Sequence, residues 1–291
     1  MFPADFRYLR AESLPHALDL LADGEDVKVL AGGQSLLPMM KLRLAVPEAV
    51  VDIGGITELA GVSPDGDRVR IGALTTYRAL QRDELIAARF PAMTDALAVL
   101  ADQQVRARGT VGGCVAHGDP AADLPAVLLA LDASVTVAAR GATRTVALGD
   151  FLRGIYATDL ATGEIVTEIS VGAAPPPGQA YEKFEQSASH LPLAGVCAAL
   201  SVSDGVITSA RVAVTGVAGR VFRSFDTERA LAGAPAEPAS LEASAALAAD
   251  GAEPLSDQHA TGPFRQHLAR VLARRALARA LTRATGEVPP R

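Results

Sequence analysis

The sequence predicts an α+β protein: a small α/β lobe, a second lobe built on an antiparallel sheet, and a C-terminal α+β region. Three observations carry that reading. Helix-period and strand-period segments alternate over residues 1–56, the pattern of a packed α/β unit. Beyond them, Arg68-Val69-Arg70-Ile71 and the pair Val135 and Val137 repeat with a period of two, as half-buried strands do. Ala173-Ala174-Pro175-Pro176-Pro177-Gly178 then reads as a linker, after which a hairpin pattern and an Ala/Leu-rich tail follow.

Taken in order, Ser13 caps a helix whose apolar positions Leu14, Ala17, Leu18 and Leu21 follow helical spacing, and Gly24 stops it. Val27 to Leu30 is a short apolar strand running straight into Ala31-Gly32-Gly33-Gln34-Ser35. Ala49 to Ile53 is a second buried strand, closed by Gly54-Gly55. In the second lobe a helical region ends near Leu97, Val99 and Leu100. Asp123 opens a helix bearing Val127, Leu128 and Leu131. Arg140-Gly141-Ala142 turns the chain into Thr143 to Val146, and Glu164 to Val171 gives one more strand. After the linker, Val196 to Val202, Asp204-Gly205 and Val206 to Val214 read as strand, turn and strand. From about Asp226 the tail is helical, its last helix carrying Leu268, Val271, Leu272 and Leu281.

Composition excludes several functions. A chain of 291 residues buries a real core and fits roughly two domains. The formal net charge is −6 and Lys/Arg form no long run, so nucleic acid is not an expected partner. Met1-Phe2-Pro3-Ala4-Asp5-Phe6-Arg7 has no apolar signal core, and no apolar run is long enough to span a bilayer. The expectation is a soluble, cytoplasmic protein. Its two cysteines, Cys114 and Cys197, fall short of the roughly four ligands of an iron–sulfur cluster or thiolate metal site. Cys197 reads as a small buried apolar residue, while Cys114 lies beside a glycine loop.

Two glycine loops carry the chemistry. The first is Ala31 to Ser35. The second is Gly109-Thr110-Val111-Gly112-Gly113, which leads to Asp119-Pro120-Ala121-Ala122-Asp123-Leu124-Pro125. Without a Cβ, glycine lets backbone N–H groups approach an anion, and two such loops suit a diphosphate held from both sides. Ser35 and Thr110 add hydroxyls, and a helix start after Ser35 adds its dipole. Taken singly, each loop reads as well as a tight turn. The Gly-x-Gly-x-x-Gly fingerprint is absent from both, so a dinucleotide here calls for another fold. Asp123 is either a helix cap or an acceptor for ribose hydroxyls. The histidines His16, His117, His190, His259 and His267 are scattered, with only His117 well placed for chemistry.

Ala31-Gly32-Gly33-Gln34-Ser35-Leu36-Leu37-Pro38-Met39-Met40-Lys41-Leu42-Arg43, Arg108 to Gly113 and Asp119 to Pro125 together resemble the medium, FAD-binding subunit of molybdenum hydroxylases, the xanthine dehydrogenase family. The nearest likeness is to the carbon-monoxide dehydrogenase type, and it runs from Phe6 to the last helix. The resemblance implies a vanillyl-alcohol-oxidase/PCMH-type FAD-binding fold, with lobes at 1–56 and 57–174 and a C-terminal α+β domain at 179–286. By it, Ala31, Gly32, Gly33, Gln34, Ser35 and Leu36 hold the FAD pyrophosphate together with Gly109, Thr110, Val111, Gly112 and Gly113. Asp123 takes the ribose side, and Ile165 and Val166 meet the adenine or flavin edge. Lys183, in Tyr181-Glu182-Lys183-Phe184, lies near the isoalloxazine, or else is a surface strand lysine. The chain departs from the family at Gln34, where many members have His, at Cys114, where Asn or Ser is usual, and at His190-Leu191.

The implied function is electron transfer. A small subunit with [2Fe-2S] clusters and a large subunit with the molybdopterin cofactor are the expected partners, in a dimer of heterotrimers. FAD on this chain passes electrons to an external acceptor. Alternatives are the medium subunit of a heterocycle or purine hydroxylase, a self-sufficient FAD oxidoreductase of the same fold, and a non-catalytic nucleotide-binding module.

Overall fold

The computed structural model describes residues 1–22, 24 and 26–286. The chain opens with β1 (Arg7–Arg10), α1 (Leu14–Ala22), β2 (Val27–Leu30), α2 (Leu36–Lys41) and β3 (Ala49–Asp52). The Ser13 hydroxyl accepts the His16 N–H at 3.3 Å, and α1 buries Ala17, Leu18 and Leu21, the face expected from their spacing. The strands form a parallel sheet in the order β1-β3-β2, so each must be reached by a crossover, and α1 supplies one.

The second unit runs through β4 (Val62–Asp65), β5 (Arg68–Gly72), α3 (Tyr77–Gln81), α4 (Glu84–Arg89), α5 (Pro91–Val99), α6 (Gln103–Arg108), α7 (Val111–His117), α8 (Asp123–Ala130), β6 (Ser134–Ala139), β7 (Ala142–Ala147), α9 (Leu148–Phe151), β8 (Leu152–Gly154), β9 (Ala157–Thr158) and β10 (Ile165–Gly172). Its main sheet is antiparallel in the order β4-β5-β10-β6-β7. The single helical region expected before Leu100 is divided into short helices. Thr76, Asp83 and Asp102 each cap a new start by accepting the N–H of Ala79, Ile86 and Val105.

The third unit holds β11 (Gly178–Glu185), β12 (Pro192–Ser203), β13 (Val206–Thr215) and β14 (Phe222–Arg223) in one antiparallel sheet, followed by α10 (Phe225–Leu231), α11 (Pro238–Ala245) and α12 (Gly262–Thr285). The helix α12 packs along β11 and β12, burying Leu268, Leu272 and Leu277, while Val271 and Leu281 are half-buried.

The second and third units share one apolar core, in which Leu124, Val127 and Leu128 of α8 meet Tyr181, Cys197 and Ala213. Polar ties fix the seam. The Asp95 carboxylate accepts two bonds from Arg283 at 2.7 and 3.0 Å, an ion pair from Arg279, and the Tyr181 N–H at 3.2 Å. The Thr215 hydroxyl and the Gly216 N–H both reach the Pro120 carbonyl, at 2.9 and 2.8 Å. Among the described residues, no helix is long and apolar enough to cross a membrane.

Candidate functional site

A cavity of about 780 Å³ takes its walls from all three units. Both glycine loops line it, with Ile165 and Val166 at the start of β10, Asp123 at the start of α8, and residues 189–191 from the β11–β12 turn. Its size lies in the range of about 300–1,000 Å³ found for small-molecule and cofactor sites.

The first loop joins β2 to α2. Gly33 has φ +73°, a conformation glycine adopts without strain. Among the described residues, the backbone N–H groups of Gly32, Gly33, Gln34, Ser35 and Leu36 donate to no protein acceptor. The carbonyls are engaged instead: Gly33 accepts the Leu37 N–H at 3.2 Å, and Gly32 accepts the Gln34 side-chain amide at 3.3 Å. A run of consecutive free donors leading into a helix is an anion cradle.

The second loop is built differently. Its N–H groups at Val111 and Gly112 bond to the Thr75 and Ala73 carbonyls at 3.0 and 2.8 Å, and Gly113 donates to the Thr110 hydroxyl at 3.2 Å. Thr110 thereby caps α7, while its own N–H makes no hydrogen bond among the described residues. The glycines here serve close packing. A Cβ at Gly112 would stand 2.4 Å from Ala73, and one at Gly109 would stand 2.5 Å from the Tyr77 ring. A Cβ at Gly32 would stand 2.1 Å from the Arg108 carbonyl oxygen, so the two loops touch each other. The structure therefore brings the predicted segments together but divides their labour. The first presents donors, and the second fixes the wall behind it. Val111 faces the core and not the cavity.

Asp123 resolves its sequence ambiguity in part. It is the first residue of α8, Ala122 occupies the cap position, and no side-chain capping bond forms. Its carboxylate instead accepts the Tyr181 hydroxyl at 2.8 Å and faces the Lys183 ammonium at 3.1 Å. Burial pushes the carboxyl up to about 6, against the pull of Lys183 and Tyr181. Lys183 is no surface lysine, since its side chain is only 3% exposed. Its Nζ donates to the Val99 carbonyl at 2.8 Å and the His190 carbonyl at 2.7 Å, and it lies outside the cavity lining.

Other cavity residues carried less signal in the sequence. Tyr77 and Leu100 arrive from the short helices, and Tyr156 from the β8–β9 turn, where its ring stacks on His117 with centroids 4.9 Å apart. Burial pushes the His117 imidazole down, which favours its neutral form. Burial also pushes the Cys114 thiol up to about 12, and it contacts the Tyr77 hydroxyl. Cys114, His117 and His190 could be singled out by position beside the motifs. Tyr77 and Tyr156 could not, because nothing in their local spacing marks them. The free donors and the volume of the cavity suit a dinucleotide diphosphate, and FAD is the dinucleotide that the family resemblance implies.

Comparison with known proteins agrees. Residues 4–174 match the family described as FAD binding domain in molybdopterin dehydrogenase, and residues 179–280 match the CO dehydrogenase flavoprotein C-terminal domain. The nicotine 6-hydroxylase medium subunit of Paenarthrobacter nicotinovorans is 38% identical over 94% of this chain and 96% of its own length. The carbon monoxide dehydrogenase medium chain of Afipia carboxidovorans is 36% identical over 98% of this chain and 99% of its own. Among solved structures, Cu,Mo-CO dehydrogenase in its cyanide-inactivated form superposes with a TM-score of 0.93 at 36% identity, covering 98% of this chain and 100% of that one. Quinoline 2-oxidoreductase from Pseudomonas putida 86 gives a TM-score of 0.93 at 31% identity, covering 98% and 99%.

Proposed function

The chain belongs to the FAD-binding subunits of the molybdopterin dehydrogenases, and we propose that it is the flavin-bearing medium subunit of a carbon-monoxide-dehydrogenase-like molybdenum hydroxylase. The observation that carries this reading is the run of free N–H groups from Gly32 to Leu36 at the cavity wall. In this reading they hold the diphosphate, with the Thr110 N–H and the Ser35 hydroxyl beside them. Ile165 and Val166 supply an apolar wall for a ring, and Asp123 stands at the ribose side. The units at 1–56, 57–174 and 179–286 act as two FAD-binding lobes and a covering domain.

FAD, when bound, supplies a ring that exchanges electrons singly or in pairs. The chain's own residues bind it, orient it and exclude water from it. The redox partners lie on other chains. A small [2Fe-2S] subunit delivers electrons drawn from a large molybdopterin subunit, and an external acceptor removes them, in a cytoplasmic dimer of heterotrimers. The relatives' names include nicotine, carbon monoxide and glyceraldehyde enzymes at 38%, 36% and 34% identity. So narrow a spread across such different substrates supports a substrate choice made on the molybdenum subunit, with heterocycle and purine hydroxylases as the alternative setting.

The test is reconstitution. The purified chain, incubated with FAD and separated from free ligand, should be yellow with one FAD per chain, and FMN or NAD should not displace it. Absence of bound FAD would overturn the reading, and dehydrogenase turnover by the chain alone would favour a self-sufficient oxidoreductase.

A further inference from the structure

The β11–β12 turn, residues 186–191, belongs to the third unit, yet Ser189, His190 and Leu191 line the cavity. The turn is hydrogen-bonded within itself. The Gln186 side chain accepts the N–H groups of Ala188 and Ser189 at 2.6 and 2.8 Å, and the Gln186 N–H reaches the Leu191 carbonyl at 2.9 Å. Among the described residues, its hydrogen-bonded tie to the second unit converges on one atom. The Lys183 Nζ donates to the His190 carbonyl on the turn, to the Val99 carbonyl at the end of α5, and to the Asp123 carboxylate on α8. An ammonium has three protons, and these acceptors account for all of them. Nothing of the group is left to face the cavity, so a direct bond from Lys183 to a ligand is not what this arrangement is built for.

We propose that Lys183 is a positioning residue, a clamp that holds the 186–191 turn against the second unit and so sets how tightly the cavity is closed. His190 sits at the junction with φ +56°, which turns its carbonyl toward the ammonium side while its ring pairs with Glu185 at 3.1 Å. The charged and titratable groups around the clamp are Asp123 on α8 and, on the third unit, Glu185, whose carboxylate is 3.4 Å from Nζ, and the His190 ring. Tyr181 completes the set by donating to Asp123. The clamp itself is a property of the chain. Its consequence for FAD rests on the function proposed above.

The experiment places spin labels on exposed sites either side of the seam, Ser187→Cys on the turn, outside the cavity lining, and Gln104→Cys on α6, and measures their distance distribution with and without FAD. The chain with Lys183 should give one narrow distribution. Lys183→Met should broaden it toward longer distances while the thermal unfolding of the rest of the chain stays cooperative. Bound FAD should leave that variant on the order of tenfold faster, the factor carried by one charge-assisted hydrogen bond. If the Met variant does not fold, Lys183→Gln is measured in the same way and should broaden the distribution too. An unchanged distribution in every folded variant overturns the clamp. A wild-type chain that takes up no FAD overturns the proposed function instead, and the distances in the ligand-free chain still decide the clamp.

Discussion

Asp123 and Lys183 face each other with almost no exposure, and removing one member of such a pair leaves the other charge buried without its partner. Lys183→Met should therefore lower the unfolding free energy of the ligand-free chain by about 3 kcal/mol at neutral pH. Denaturant titration checks this, and a loss below the error of the titration would mean that the pair is dispensable. The pH dependence follows from the Asp123 carboxyl. Its folded value, about 6, lies above the ordinary 3.8, so its contribution to stability is full below that ordinary value and is lost as the pH rises to about 6. Asp123→Asn should abolish this component, and stability profiles of both proteins across that window should differ in slope. Cys114 gives a second residue-scale test. Its thiol is held protonated and lines the cavity, so it should react slowly with a thiol reagent in the ligand-free chain and not at all once FAD is bound. Equal labelling in both states would place the ligand elsewhere. Of these residues, Asp123 was marked by its motif, but its buried partners could not be read, because Tyr181 and Lys183 come from a strand far along the chain.

At the scale of elements, the glycine loops show which sequence signals translate directly. Gly33 is legible because a positive φ between strand and helix calls for glycine. Gly112 is equally required, but for contact with Ala73 rather than with a ligand, and sequence spacing does not separate those reasons. The helix α7 tests the difference. Thr110→Ala removes its cap and should cost about 0.5–2 kcal/mol, whereas Thr110→Ser keeps the hydroxyl and should cost much less. Equal losses in thermal unfolding would show that the methyl group matters more than the cap. Gly32→Ala should be far more damaging than either, since its Cβ would push the two loops apart. Strands with clear alternation, such as β5 and β6, were readable, as was the β12–β13 hairpin. By contrast, β1 is mostly exposed and has no alternation to find. The capped helices α3, α4 and α6 carry their own start signals in Thr76, Asp83 and Asp102, which a reading by apolar period alone passes over.

For the whole molecule, the seam between the second and third units decides how residues 189–191 close the cavity whose other walls come from the first two units. Asp95 gathers Arg283, Arg279 and the Tyr181 N–H at that seam with its side chain 11% exposed. Asp95→Ala strands the Tyr181 N–H and takes the shared carboxylate from Arg279 and Arg283, which keep Glu182 and the Gln179 carbonyl, so the melting temperature should fall, with a loss of about 1.5–3 kcal/mol. Calorimetry should show it, and an unchanged transition would mean that the shared apolar core alone holds the units. The order in which the chain is made gives this seam a further meaning. On the ribosome, the donor loop at residues 32–36 and the wall at 109–113 emerge long before Lys183. The arginines of α12 that anchor the third unit come later still. The donor loop is thus made well before the turn at residues 186–191 and the α12 arginines that tie the turn's unit to the second one. On the proposed function, full enclosure of FAD therefore waits for the last part of the chain to be made and folded.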